Sequence, residues 1–200
     1  YGKVNGLMTE QLPYNPCSKK GEVRAQIATA LMNETKKGNL HALIARAADF
    51  YGPRAKTSVL NLLVFDKLAR GNRASWLLNE NVKHSFTFTP DAGVSLAALA
   101  SRESAFNQVW HLPTAGDPPT GKEFVRMIAQ EFGVQPKHNI LGRLMLRLGG
   151  LFDTTIRELP EILYQNEFEY IFDSSKFEKA FNIKPTSYAE GIRLTAESYR

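Results

Sequence analysis

The segment at residues 41–49, HALIARAAD, constrains the fold more than any other part of the sequence. Its apolar residues form a nearly continuous run, which is typical of a parallel strand covered by helices on both faces. Gly38 and Asn39 end a helical pattern before it, and Gly52 and Pro53 favour a turn after it. The segment therefore predicts an α/β fold built on a buried parallel sheet.

A helix over about residues 17–37 is predicted before this strand. Pro13 and Pro16 favour an extended loop, because proline fixes φ and disfavours helix in the residue before it. Ser18 can cap the helix that follows. Lys20 and Arg24 are four residues apart, so both side chains leave the same side of the helix. The apolar residues of the helix recur on one face, at Val23, Ile27, Leu31 and Met32.

Residues 13–24, PYNPCSKKGEVR, resemble the catalytic segment of the extended short-chain dehydrogenase/reductase family, the NAD-dependent epimerases and dehydratases. In that family a proline-serine loop leads into a Tyr-x-x-x-Lys pair, and here Lys20 stands at the tyrosine and Arg24 at the lysine. Residues 46–53, RAADFYGP, resemble the family's R-x-x-N-x-Y-G-P, whose strand end lies beside the nicotinamide. Residues 1–2 resemble the end of the family's V-Y-G strand. The resemblance continues in order along the whole chain.

Three later segments carry the same resemblance. Residues 82–92, VKHSFTFTPDA, resemble a strand-to-helix segment in which His84 takes the place of an arginine that often faces a sugar nucleotide's phosphates. The alternative for His84 is an exposed residue at a strand edge. Asp91 is expected to cap the helix that follows. Thr120 and Glu123 fit the family's T-x-x-E helix and predict a capping box, and residues 172–185 look like its terminal D-x-S-K segment.

The resemblance implies a partial doubly wound, Rossmann-like parallel sheet with a small, mostly helical substrate-side lobe. Residues 1–53 and 84–105 are expected to form the remainder of the NAD(P)-binding domain, and residues 54–83 and 106–200 the lobe. No G-x-G-x-x-G occurs in the sequence. We therefore expect the main binding motif for NAD or NADP to lie upstream of Tyr1. Helices are predicted at 57–69 and, divided near Gly149-Gly150, over 141–168.

The implied activity is that of an NAD(P)-dependent epimerase, dehydratase or reductase acting on a sugar-like or other carbonyl or hydroxyl substrate. Lys20 and Arg24 would be catalytic. Lys20 could act as a base only if partly buried beside other cations, which lower a lysine pKa. If it is exposed, the pair is lost and the chain is a non-catalytic binding or interaction module. The cofactor-binding residues would be Arg24, Asp49, Phe50, Tyr51, Gly52 and Pro53, and the substrate-binding residues Tyr1, Ser58, Asn61 and His84.

Composition limits the classes of partner. The net charge is +5, with bases and acids interspersed, which indicates a solvated surface instead of a nucleic-acid interface. A single cysteine, Cys17, suits a reducing cytoplasm, and no apolar run reaches the length of a membrane span. The four histidines are isolated, so no metal site is expected. We expect a small-molecule substrate and, through an exposed sheet edge, a homo-oligomer.

Residues 116–122 also fit the G-x-x-x-x-G-K phosphate-loop pattern. Pro118 and Pro119 lack the backbone N–H groups that would hold phosphate, and Glu123 stands where a magnesium-binding Ser or Thr belongs. A nucleoside-triphosphate site here is therefore the weakest of the functional hypotheses.

Overall fold

The computed structural model of the chain describes residues 1–4, 6–149 and 163–200. The strands in this part are β1 (Leu7–Met8), β2 (Ile44–Arg46), β3 (Asp49–Tyr51), β4 (Ala74–Leu77), β5 (Phe86–Phe88), β6 (Val109–His111), β7 (His138–Leu141) and β8 (Ile171–Phe172). The α-helices are α1 (Lys19–Lys36), α2 (Asp66–Ala69), α3 (Thr89–Ala100), α4 (Gly121–Phe132), α5 (Arg143–Gly149), α6 (Ser175–Phe181) and α7 (Tyr188–Glu197). A π-helix at Asn61–Phe65 runs into α2, and 3₁₀ turns lie at Glu103–Ala105 and Leu163–Asn166.

The described strands form parallel pairs, which confirms the predicted α/β class. The pairs are β1 with β8, β2 with β6, β3 with β5, and β4 with β7. The single strand predicted at 41–49 is divided, because β2 and β3 pair with different partners. At the division, the backbone N–H of Ala48 donates to Thr87 Oγ1 at 3.0 Å instead of to a backbone carbonyl. One extended segment therefore joins two parallel pairs.

The largest core cluster lies between β3, β5 and the helices α2, α4 and α7. It is rich in aromatic side chains: Trp76 stacks on Phe124 with ring centroids 6.1 Å apart, and Phe124 meets Phe86 edge to face at 5.0 Å. A second cluster packs Trp110 of β6 against Phe177 of α6. The first cluster holds β3 and β5 in place, and these two strands carry the candidate site.

Helix α1 confirms the predicted helix and its cap. Ser18 Oγ accepts a hydrogen bond from the backbone N–H of Gly21 at 3.1 Å. The apolar face of the helix, however, is open in the described structure, with Val23 53% and Ile27 62% exposed. Thr35 is its one fully buried residue. The predicted periodicity is therefore present, but the face that it produces packs on little of the described chain.

Other helix predictions have mixed outcomes. The capping box of Thr120 and Glu123 is confirmed. The cap predicted for Asp91 is wrong, because α3 begins at Thr89 and the Asp91 carboxylate instead accepts hydrogen bonds from the backbone N–H and the hydroxyl of Thr186, at 2.7 and 2.8 Å. The helix predicted over 57–69 contains the π-helical turn. The division predicted at Gly149-Gly150 lies at and beyond the edge of the described residues. Within the described part of the chain, no helix is long and apolar enough to cross a membrane.

Candidate functional site

The candidate site is built around Asp49, the first residue of β3. Its Oδ2 accepts a hydrogen bond from His84 Nε2 at 2.9 Å. The Asp49 side chain is 43% exposed, whereas that of His84 is 1% exposed and its ring stacks on Tyr170. His84 is therefore neither a phosphate contact nor an exposed strand-edge residue, so both interpretations of it are wrong. It is a buried partner that orients a carboxylate.

The hydrogen bond also fixes which nitrogen of His84 carries the proton. Asp49 can only accept, so Nε2 donates. The other ring nitrogen, Nδ1, is buried and has no hydrogen-bond partner among the described residues. The Nε2–H form holds Asp49 Oδ2 and leaves Asp49 Oδ1 for another donor.

Two cavities meet at Asp49. One is a narrow recess of about 40 Å³, lined mainly by apolar side chains including Leu60, Trp76 and Phe86. The other is a wider cleft of about 570 Å³, lined by Phe50 and Leu96 among others. Asp49 lines both. The residue therefore borders a narrow and a wide space, where a ligand could reach it.

Tyr164, which the sequence analysis missed, connects this carboxylate to the start of α1. Burial is the main cause that raises the pKa of Tyr164. The neighbouring Cys17, just before α1, and Asp49 raise that pKa further, while Arg24 lowers it. Those effects place the phenol within electrostatic reach of both Arg24 and Asp49. The neighbouring Gln165 and Asn166 line the recess. No motif in the sequence marks this tyrosine.

Lys20 and Arg24, the predicted catalytic pair, are both exposed on α1. The amine-base hypothesis requires Lys20 to be partly buried, so its exposure favours the electrostatic role over the base. The Arg24 charge lowers the pKa of Tyr164, which connects this cation to the Asp49 region. The pair therefore supplies two cationic side chains at the helix entrance.

Ser58 and Asn61 both hydrogen-bond to the backbone that follows β3, and Ser58 also lines the cleft. Ser58 Oγ donates to the carbonyl of Phe50 at 2.5 Å. Asn61 Nδ2 donates to the carbonyl of Gly52 at 2.9 Å, and Asn61 Oδ1 accepts from the Gly52 N–H at 3.4 Å. Asn61 is 1% exposed. The two side chains together fix the backbone that follows β3; Asn61 is buried away from the cleft, whereas the substrate contact of Ser58 stays a prediction.

The other predicted cofactor residues divide into surface and core. Phe50 is 43% exposed at the cleft, whereas Tyr51 is 1% exposed and its ring lies in the main core cluster. Gly52 has φ +151°, and a Cβ there would lie 2.1 Å from Thr89 Oγ1, so the position requires glycine. Pro53 is half-buried beside it. The structure thus places Asp49 and Phe50 on the cleft, and Tyr51 inside the protein.

Tyr1 belongs to a separate buried network at the ends of β2 and β6. Its hydroxyl donates to His111 Nε2 at 2.5 Å, while His111 Nδ1 donates to the carbonyl of Asp173 at 2.7 Å. The Arg46 guanidinium lies over the Tyr1 ring at 4.7 Å. Burial lowers the pKa of His111, and the Glu10 carboxylate opposes this. The predicted substrate contact of Tyr1 is therefore not brought to the Asp49 cleft.

The phosphate-loop hypothesis fails on its backbone donors. The N–H of Lys122 donates to the carbonyl of Glu80 at 3.0 Å, and the N–H of Thr120 donates to Glu123 Oε2 at 2.8 Å. A Cβ on Gly121 would lie 2.2 Å from the Trp76 ring, which shows how closely this backbone packs on the core. Two of the N–H groups that would hold phosphate, those of Thr120 and Lys122, are thus already engaged. Residues 1–4, 6–149 and 163–200 contain no side-chain cluster suited to a metal ion.

No protein-family model and no curated protein sequence matches the chain, but solved structures match over its whole length. UDP-glucose 4-epimerase from Thermus thermophilus, in complex with NAD, matches with a TM-score of 0.78 at 16% identity, over 100% of this chain and 60% of that one. The dTDP-glucose 4,6-dehydratase from Bacillus anthracis str. Ames, in complex with NAD, gives 0.76 at 16%, over 100% and 57%. RMD from Pseudomonas aeruginosa, complexed with NADPH, gives 0.74 at 13%, over 100% and 62%.

These matches confirm the predicted fold. The chain has the Rossmann-like α/β fold of the NAD-dependent epimerases and dehydratases, and it spans about 60% of the length of the matched chains. At such low sequence identity the likeness concerns the fold.

Proposed function

We propose that the chain forms part of an NAD(P)-dependent epimerase, dehydratase or reductase that acts on a sugar-like or other carbonyl or hydroxyl substrate. The observation that carries this proposal is the fold match, which extends over the whole chain to structures holding NAD or NADPH. Residues 1–53 and 84–105 would belong to the cofactor side, and residues 54–83 and 106–200 to the substrate lobe. The exposed free thiol of Cys17 accords with a cytoplasmic location.

The residues of the chain suit the nicotinamide half of the dinucleotide better than the adenine half. The sequence has no G-x-G-x-x-G, so it lacks the motif that holds the pyrophosphate. At the cleft it offers a carboxylate, Asp49, and an exposed aromatic ring, Phe50, and helix α1 offers an exposed cation, Arg24. We assign Arg24 to the ribose and Asp49 and Phe50 to the nicotinamide side, on a backbone shaped by Gly52 and Pro53. A bound nicotinamide would supply hydride chemistry.

The chain's own contribution to the reaction would be electrostatic. Negative charge develops on the substrate oxygen when a carbonyl is reduced, and fixed cations stabilise such charge. Lys20 would donate a proton to that oxygen or stabilise its charge, and Arg24 would be its charged neighbour. Tyr164 supports this arrangement, because its phenol lies within electrostatic reach of both Arg24 and Asp49.

The second candidate function is a non-catalytic binding or interaction module on the same scaffold. The exposure of Lys20 and Arg24 favours it, since neither is the residue usual for the family and neither is buried against the cleft. The substitution Lys20→Met in the intact protein separates the two functions. An enzyme that uses Lys20 should lose most of its turnover while cofactor binding stays within about twofold; unchanged turnover would favour the binding module.

Calorimetry on the 200-residue chain tests the cofactor assignment. Reduced nicotinamide mononucleotide should bind weakly. NADH and NADPH should bind no more than about threefold more tightly, because the chain has no motif that binds the adenine half of the dinucleotide. Arg24→Ala should weaken binding by about threefold to tenfold, the scale of one exposed charged contact. Lys36→Ala, an exposed cation in the last turn of α1, is the matched control. Equal effects of the two substitutions would contradict the Arg24 assignment.

A further inference from the structure

We infer that the cleft at Asp49 takes a substrate with an apolar body and one hydroxyl or ammonium group, and that it disfavours sugar nucleotides. The inference rests on the proposed function, because it names the substrate class of that site. It follows from the walls of the two cavities, from the charge at their junction, and from the hydrogen-bonding capacity that the carboxylate keeps.

The walls are apolar and partly open. Leu60, Trp76 and Phe86 line the recess, and Phe50 and Leu96 line the cleft. Phe50 and Leu96 are 43% and 48% exposed, which is unusual for large apolar side chains on a concave surface. Burying such side chains against a ligand is favourable when the ligand is itself apolar. A sugar would gain little from this contact.

The charge at the junction is negative. Among the described residues, Asp49 is the only charged side chain that lines either cavity, and no Lys, Arg or His does. His84, at the position where phosphates would be met, is buried and already bonded to Asp49. A diphosphate would therefore face a carboxylate in cavities that no cation lines, and like charges in a partly desolvated space repel.

The carboxylate keeps the capacity to bind a donor. His84 occupies Oδ2, and no described residue hydrogen-bonds to Oδ1. A carboxylate only accepts hydrogen bonds, so its natural ligand there is an O–H or N–H group. An ammonium adds charge to that bond and is held more tightly than a hydroxyl. The mainly apolar walls around this one charged acceptor define the substrate class.

Three probes test the inference by NMR titration of the ¹⁵N-labelled chain without any nicotinamide: 4-phenylbutan-2-amine, 4-phenylbutan-2-ol and UDP-glucose. The amine should bind at least about tenfold more tightly than UDP-glucose, with shifts at the amides of Asp49, Phe50 and Leu96. Asp49→Asn should weaken binding of the amine by about tenfold and binding of the alcohol by no more than about threefold, since the asparagine amide keeps a hydrogen-bond acceptor but loses the charge. Asp117→Asn, which removes a charge that lines neither cavity, should change neither.

A variant designed to gain binding of the sugar nucleotide provides a second test. Leu96→Arg places a cation at the mouth of the cleft and should tighten UDP-glucose binding by about threefold or more. The inference is overturned if UDP-glucose matches the amine at the wild-type cleft, if Asp49→Asn and Asp117→Asn act alike, or if no probe shifts the cleft amides up to its solubility limit. Amine binding at Asp49 without any nicotinamide mononucleotide binding would sustain this inference while refuting the proposed function.

Discussion

Gly191 of α7 provides a sharp test of the packing behind the site. A Cβ at this position would lie 2.1 Å from the Tyr51 hydroxyl oxygen and 2.9 Å from Tyr51 Cζ. The Tyr51 ring cannot easily move away, because it is enclosed by Phe88, with centroids 5.3 Å apart, and by Tyr188, at 6.2 Å. Gly191→Ala should therefore force an overlap inside the core, directly beneath β3.

The magnitude follows from two opposing effects. Overpacking a filled core costs about 1–3 kcal/mol, and this overlap belongs at the upper end. Alanine in a helix interior recovers about 1 kcal/mol relative to glycine. Gly191→Ala should then lower the free energy of unfolding by about 2 kcal/mol, which is about 4–8 °C in Tm for a chain of this size. Gly93→Ala in α3 meets no atom within 4 Å and should instead stabilise by about 0.5–1 kcal/mol.

Urea unfolding of the two variants, with Tyr51→Phe as a third, measures the effect. The Tyr51 hydroxyl is buried with no hydrogen-bond partner among the described residues, so removing it should be neutral or stabilising. The double variant Gly191→Ala/Tyr51→Phe should recover a large part of the loss, because the closest overlap disappears. The core position of Tyr51 would be refuted if Gly191→Ala were as stable as Gly93→Ala, or if the effects of Gly191→Ala and Tyr51→Phe were additive. Either result would favour the predicted contact of Tyr51 with the cofactor.

Three further predictions concern the hydrogen bonds between Asn61 and Gly52, the pH dependence of stability, and self-association. Asn61→Ala removes the side chain that hydrogen-bonds to the Gly52 backbone, and it should lower the free energy of unfolding by about 1–3 kcal/mol in urea titrations. A change below about 0.5 kcal/mol would show that these hydrogen bonds do not hold the backbone in place. Burial raises the pKa of Tyr188 to about 12, so the folded state favours the neutral phenol. This stabilisation is complete below about pH 10 and is lost as pH rises towards 12; stability curves should steepen there, and Tyr188→Phe should flatten them. Sedimentation should show concentration-dependent self-association, weakened by Ile27→Glu on the open face of α1, whereas a clean monomer at high concentration would contradict it.

Local signals in the sequence predicted several elements well. Ser18 at a helix start and the Thr120–Glu123 pair each act within a few residues, so their hydrogen bonds follow from spacing alone. The continuous apolar run at 41–49 predicted parallel pairing for a similar reason, since a strand that is buried on both faces has apolar residues at consecutive positions of one segment. Its division into two strands was not predictable, because it depends on Thr87, a side chain 39 positions from Ala48.

The site was harder to predict because its residues are brought together by tertiary contacts. His84 is buried by stacking on Tyr170, which lies 86 positions later in the sequence, and no local pattern shows that stack. Asn61 and Ser58 are polar residues in a largely apolar helical stretch, so the sequence suggests a polar ligand. The ligand of each proves to be the protein's own backbone. Tyr164 reaches Asp49 and Arg24 only through the folded arrangement of distant segments.

The measurement that tests the account most directly is an NMR map of reduced nicotinamide mononucleotide on the ¹⁵N-labelled chain, with AMP as the control. The account predicts that the nicotinamide compound shifts the amides of Asp49, Phe50, Arg24 and Tyr164, and that AMP leaves them unchanged. Shifts by AMP at the same amides, or nicotinamide shifts confined to other parts of the chain, would contradict the assignment of this cleft to the nicotinamide side of an NAD(P)-dependent enzyme.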